Sequence, residues 1–140
     1  MKKKVKKVYN KPAPPSWYSI GHRWANILHT RIRLKSSKLA YELFRKNLSE
    51  NSICRCGNPS ETAAHFFLEC PLYDYPRNKL LRTISRIISP GLNPLILPQL
   101  EPSHYIDILL CGSPDVPENL NHSIIHATQT FLISSGRFSR

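Results

Sequence analysis

Cys54-Arg55-Cys56-Gly57, followed by His65 and then Cys70-Pro71, is the stretch on which the fold of this chain turns. Three thiols and one imidazole fall within seventeen residues, spaced C-x-C-x8-H-x4-C. Soft and borderline ligands this close in sequence suit one tetrahedral ion of the Cys3His type. The expected ligands are Cys54, Cys56, His65 and Cys70, and the expected cofactor is one Zn²⁺. Its role is expected to be structural, because four protein ligands leave no open position for a catalytic water.

The flanking residues fit that reading. Both thiolates of a C-x-C pair reach one metal only if the backbone turns tightly, and Gly57 supplies the permissive geometry. Ser60 is positioned to cap a short helix over Thr62–Leu68. On an ideal helix His65 and Cys70 stand about 140° apart, so the helix must end before Cys70 if both are to face one ion. Pro71 favours that ending by pushing Cys70 towards extended geometry. Phe66, Phe67 and Leu68 supply apolar packing beside the metal. A disulfide framework would also use clustered cysteines, but lysines follow Met1 in place of an apolar leader, which disfavours it. Coincidental core thiols are disfavoured by the ordered ligand types and by the flanking Gly and Pro.

At 140 residues the chain is one domain or two small ones, with a core modest enough for a structural metal to matter. The net charge of +11 is unevenly placed. Residues 1–47 hold nine lysines and four arginines against Glu42 alone, a net +12, whereas residues 48–140 balance to −1. A basic third on a near-neutral body favours a polyanionic partner, most simply nucleic acid. The competing reading of Lys2, Lys3, Lys4, Lys6 and Lys7 is a solubilising tail, and a nuclear-import signal is a weaker match. No apolar run approaches the ~18 residues of a membrane span. No small-molecule substrate is implied, and the expected location is intracellular, in the nucleus or a cytoplasmic ribonucleoprotein.

The fold is expected to be mainly α, a small helical domain organised around the knuckle, since no alternating strand pattern occurs. Residues 1–16 read as a basic, proline-rich disordered tail, 17–89 as the zinc-binding domain with its knuckle at 54–70, and 90–140 as a helical extension packed on it. Ser16 is expected to cap a first helix carrying Trp17, Ile20, Trp24, Ile27, Leu28 and Ile32 inward, with Gly21 as its weak point. Arg23, His29, Arg31, Arg33 and Lys35 project over its faces. A second helix, capped by Ser36 or Ser37, should bury Leu39, Leu43 and Phe44 and expose Lys38, Glu42, Arg45 and Lys46. A third runs from about Asp74 to Ser89 with Leu80, Ile84, Ile87 and Ile88 inward and Arg77, Arg82 and Arg86 outward. Ser89-Pro90-Gly91 ends it, and Leu92–Glu101 reads as an extended, proline-broken loop. A short helix around His104–Leu110 and a last one from Glu118 or Asn119, with Leu120, Ile124, Phe131 and Leu132 inward, complete the chain. His122 and His126, four apart, are expected to be surface or capping residues rather than a second metal site. Trp17, Tyr18 and Trp24 lie among basic residues, a mix that can stack bases. Core packing is the stronger reading for the two tryptophans.

The run from Thr30-Arg31-Ile32-Arg33-Leu34 through Leu43-Phe44, Asn47-Leu48, Cys54-x-Cys56-Gly57, Glu61-Thr62, His65-Phe66-Phe67-Leu68 and Cys70-Pro71-Leu72-Tyr73 to Arg77 resembles a known region. It is similar to the zinc-binding region downstream of the reverse transcriptase domain in non-LTR (LINE-type) retrotransposon polyproteins. Leu109-Leu110-Cys111-Gly112, Asn119, Phe131-Leu132-Ile133 and Gly136-Arg137-Phe138 resemble the extreme C-terminus of the same polyproteins. Cys111 lies where an aromatic is common there, so it reads as a packed or free thiol rather than a ligand.

The resemblance implies a nucleic-acid-binding module, gripping RNA template or target DNA, of a retrotransposon-derived reverse transcriptase. Arg31, Arg33, Lys35, Lys38, Arg45, Lys46 and Arg55 are the residues expected to contact phosphates. No catalysis is expected: a Tyr-x-Asp-Asp motif and clustered carboxylates for divalent metals are both missing from the chain. A start at its own methionine, with no polymerase domain upstream, is consistent with a truncated element or a host gene derived from one. The alternatives are a zinc-supported protein-interaction module and a non-functional retroelement relic.

Overall fold

A computed structural model describes residues 21–88 and 101–139. The basic tail, the Ser16 cap, Trp17, Ile20, the Ser89-Pro90-Gly91 stop and the Leu92–Leu100 part of the expected loop lie outside the described residues. The described residues are helical with no strand, as the patterning requires. In chain order they form α1 (Arg23–Arg33), α2 (Ala40–Arg45), the knuckle with a π-helical turn (His65–Glu69) and a 3₁₀ turn (Pro71–Tyr73), then α3 (Asp74–Ile88), α4 (Pro102–Cys111) and α5 (Glu118–Ser134).

Helix α1 begins at Arg23. Gly21 has φ +84°, a left-handed geometry that no α-helix passes through, and His22 is extended and accepts the Trp24 N–H on its ring. The α2 face also differs from its expected one. Glu42 is buried and accepts from both the backbone N–H and the hydroxyl of Ser37 at 2.7 and 2.6 Å. Phe44 is 44% exposed. The N-cap of α2 is Leu39, not Ser36 or Ser37, and it makes no side-chain cap bond; the Ser37 hydroxyl accepts the Leu39 N–H just ahead of the helix. The reciprocal contact with Glu42 resembles a capping box at a longer spacing, and it rotates the carboxylate inward and the phenyl ring outward.

Helix α5 organises the body. It packs against α3, α1 and α4, burying Ile124, Ile125, Phe131 and Leu132 on one side and the polar Asn121, Thr128 and Gln129 with them. Each of those polar groups has a partner. Asn121 holds the α4–α5 loop through Ser113 and Val116, and the Thr128 hydroxyl donates to Leu109 O at 2.7 Å. Gln129 donates to Asn26 at 2.9 Å. His29, expected on the surface of α1, is 1% exposed, with Nε2 2.7 Å from Leu110 O. Burial pulls its pKa down to about 4, against the Leu110 bond and with help from Arg33, so the ring is neutral at physiological pH.

One hydrophobic cluster joins α1, the knuckle, α3, α4 and α5. At its centre Phe66 stands 5.1 Å, centroid to centroid, from Phe67, Tyr73 and Phe131 and 5.5 Å from Phe138. Phe66 and Phe67 are wholly buried, a contribution of about 1.5–3 kcal/mol each. The knuckle is therefore built into the core rather than appended to it.

Candidate metal centre

The backbone of the knuckle explains how the four ligands converge. Cys54, Arg55, Cys56 and Gly57 form a tight turn closed by Gly57 N–H to Cys54 O at 2.9 Å, and Gly57 has φ +99°. Thr62, not Ser60, caps the following helix, its hydroxyl accepting His65 N–H at 3.1 Å. That helix then widens, with Cys70 N–H donating to His65 O at 2.7 Å in an i→i+5 bond. The wider turn absorbs much of the angular gap that separates His65 from Cys70 in an α-helix. Cys70 itself is extended (φ −63°, ψ 122°), as Pro71 demands.

The four ligand atoms all lie within 4.8 Å of one another, and this is the one such group among the described residues. The Cys54 and Cys70 sulfurs are 3.7 Å apart, and Cys56 Sγ is 3.3 Å from His65 Nε2. Metal–sulfur bonds of about 2.3 Å and a metal–nitrogen bond of about 2.0 Å give tetrahedral edges of about 3.8 and 3.5 Å. The side chains already stand close to those edges without a disulfide between any pair.

The three thiols differ in their local electrostatics. Each thiol receives the amide N–H two residues ahead: Cys54 from Cys56, Cys56 from Asn58, and Cys70 from Leu72. For Cys56 the Asn58 N–H prevails and holds the thiol below its ordinary range. Burial prevails at the other two, pushing Cys54 up to about 12 and Cys70 upward. Burial thus keeps Cys54 and Cys70 as neutral thiols, and a bound divalent cation would favour the thiolate at all three. On the far side of His65, Nδ1 is buried and makes no hydrogen bond, while Glu69 Oε1 lies 3.5 Å away. A carboxylate behind a metal-binding imidazole is the usual arrangement for fixing its tautomer.

Two further groups hold the centre in place. Arg77, expected on the outer face of α3, is 5% exposed. Its guanidinium donates to the carbonyls of Phe67, Phe66 and Cys70 at 2.9, 3.1 and 2.6 Å and to Asp74 at 2.8 Å. The cause lies in the knuckle helix. Pro71 has no N–H to donate to Phe66, and the Leu72 N–H is turned to the Cys70 sulfur. Glu61, 2% exposed, takes two bonds from Arg137 at 2.8 and 2.9 Å and the Ala40 N–H at 2.8 Å, with Oε2 3.8 Å from Cys54 Sγ. Burial alone would raise its pKa, but the Arg137 bonds outweigh it and hold the carboxyl below its usual range. Arg137 also donates to Lys38 O at 3.1 Å. The pair thus ties the C-terminal turn to the knuckle and to the start of α2. Glu61, Arg77 and Arg137 all fall within the sequence runs singled out above, yet spacing and periodicity assign them no task at the centre.

The seven basic residues expected at phosphates fall into groups. Arg31 and Lys38 are exposed and line a cleft with Trp24 and Arg137. Arg33, half-buried, and exposed Lys35 and Arg45 line another cleft that also contains Glu42 and Asp107. Arg45 donates to Lys35 O and Lys46 Nζ to Ser36, so the α1–α2 turn gathers Lys35, Arg45 and Lys46. Arg55 is exposed on the turn between the two thiols. His122 and His126 do not converge on a metal-binding group among the described residues; His122 lies 3.8 Å from Glu118, one turn earlier on α5.

The fold and site together define a small, mainly helical protein with a Cys3His group able to hold one metal ion. No family model matches the chain, and no curated protein or solved structure is significantly similar to it.

Proposed function

We propose that this is a zinc-stabilised nucleic-acid-binding module of the kind found downstream of the polymerase in non-LTR retrotransposon polyproteins. The observation that carries the proposal is the convergence of Cys54, Cys56, His65 and Cys70 on one point, directly beside a basic helix–turn–helix segment. Zinc is the favoured ion because three thiolates and one imidazole match its preference and fill its tetrahedron. With no position left for water, the ion's work is to hold shape, and the chain acts as a binder rather than a catalyst.

The electrostatics support a polyanion as the partner. Exposed Lys35, Arg45 and Lys46 are gathered at the α1–α2 turn, and the Glu61–Arg137 pair anchors that turn to the knuckle through Ala40 and Lys38. Phosphate contacts of this kind release counterions, so affinity falls steeply with salt. Fluorescence anisotropy with labelled RNA and DNA tests the proposal on zinc-loaded protein. Binding at low salt is expected, and Lys35→Gln/Arg45→Gln/Lys46→Gln should weaken it and reduce the salt slope by about two to three. Absence of binding at low salt would refute it and favour the protein-interaction reading, for which Phe44, Leu48 and Ile53 supply exposed apolar surface.

A further inference from the structure

A cleft of about 350 Å³ opens between α1, the start of α2 and the C-terminal turn. Its floor is apolar, made by Leu28 and Ile32, and aromatic rings of Trp24 and Phe138 line it. The Arg31 guanidinium lies 5.8 Å from the Trp24 ring centroid, and Arg137 lies 5.3 Å from that of Phe138. The cations differ in how they are balanced. Arg137 is neutralised by Glu61 at 2.8 Å, whereas Arg31 and Lys38 are exposed and form no ion pair among the described residues. No carboxylate lines the cleft.

We propose that this cleft binds one unstacked base and its adjoining phosphate from a single-stranded nucleic acid. The inference rests on the nucleic-acid-binding reading above and adds to it the strandedness of the partner and the place where a base is held. Each feature of the cleft corresponds to one part of a nucleotide. An aromatic face and an arginine plane take the base by stacking, which tolerates any sequence because every base has a π-face. Lys38 and Arg31 take the phosphate as unneutralised charges at the rim. The apolar floor excludes water beneath the base. In a duplex both faces of each base are already stacked, so a duplex reaches only the rim charges. The volume, near the lower end of ordinary ligand sites, suits one nucleotide rather than a longer folded segment.

The experiment uses the zinc-loaded full chain carrying Trp17→Phe, which leaves Trp24 as the sole tryptophan. It is titrated with a single-stranded oligouridylate, with an RNA duplex of the same length and with uridine monophosphate. Trp24 emission is expected to be quenched by the single strand. The single strand should bind about 5- to 150-fold tighter than the duplex, the worth of one stacked base. Arg31→Gln/Lys38→Gln, at exposed positions that leave the core intact, should weaken single-strand binding by about tenfold or more. Single-strand binding with unchanged Trp24 emission and no loss in the double variant would overturn the cleft proposal while leaving nucleic-acid binding in place. Uridine monophosphate binding as tightly as the strand would overturn it in favour of a free-nucleotide site. No binding by any probe would remove the nucleic-acid reading itself, and the cleft proposal with it.

Discussion

Arg77→Met offers the most demanding test of how the knuckle is supported. The side chain is buried and its guanidinium serves three backbone carbonyls, those of Phe66, Phe67 and Cys70, at 2.6–3.1 Å. Methionine retains much of the aliphatic packing but donates nothing. Cys70 O keeps the Tyr73 N–H at 3.2 Å, so it is the Phe66 and Phe67 carbonyls that lose their donor. At about 1–3 kcal/mol for each buried carbonyl left unmet, that gives about 2–6 kcal/mol before relaxation. Water entering beside Asp74 recovers part of this, which leaves about 3 kcal/mol. For a domain of this size that is a fall in Tm of roughly 10–15 °C. Thermal unfolding of zinc-loaded protein, followed by circular dichroism, is the assay. Arg82→Met is the control, an exposed position on the same helix, and should change stability by no more than about 0.5 kcal/mol. Arg77→Lys should fall between, because an ammonium lacks the planar fork that reaches several carbonyls at once. If Arg77→Met melts within a few degrees of wild type, those carbonyls do not depend on Arg77 and the reason given for its burial is wrong.

His29 predicts a pH dependence. Its folded pKa, about 4, lies below the ordinary 6.5, so protonation favours the unfolded chain. Stability from this group is complete above about pH 6.5 and declines by about 3 kcal/mol as pH falls towards 4. Urea unfolding across that range should show the decline in wild type and its removal in His29→Gln, the difference separating it from protonation of the metal ligands. Glu61→Gln and Arg137→Met should each destabilise by about 3 kcal/mol, and the double variant should cost less than their sum by about 2 kcal/mol. An additive double-mutant cycle would mean the pair is not an energetic unit. Gly57→Ala should cost about 1–2 kcal/mol through backbone strain at φ +99° alone, because a Cβ there meets nothing within 4 Å. Gly57→Asn should cost less, and equal losses in chemical denaturation would contradict backbone strain as the cause.

Sequence and structure agree where local chemistry decides the outcome. The ligand spacing, the stop imposed on Cys70 by Pro71, the α3 start at Asp74 and the α5 start at Glu118 all depend on neighbours within a few residues. The mismatches have partners far along the chain. His29 is buried because Leu110 O awaits it 81 residues away, and Glu61 because Arg137 reaches it across 76. Arg77 looked like a surface residue because its partners are carbonyls freed by a π turn, which no periodicity reveals. On α2, a Ser37–Glu42 contact five residues apart overrode the apolar pattern that placed Phe44 inside. The charge asymmetry was legible as composition, but its division between a turn and an aromatic cleft required the packed helices.

The metal content of the purified protein tests the central claim most directly. Mass spectrometry under native conditions should find one zinc ion per folded chain. Cys56→Ser and His65→Ala should lose it, and a chelator should abolish the helical signal together with nucleic-acid binding, because metal-binding energy is folding energy in a site of this kind. A fully helical, metal-free protein that ignores the chelator and both substitutions would contradict the claim that a Cys3His centre organises this fold.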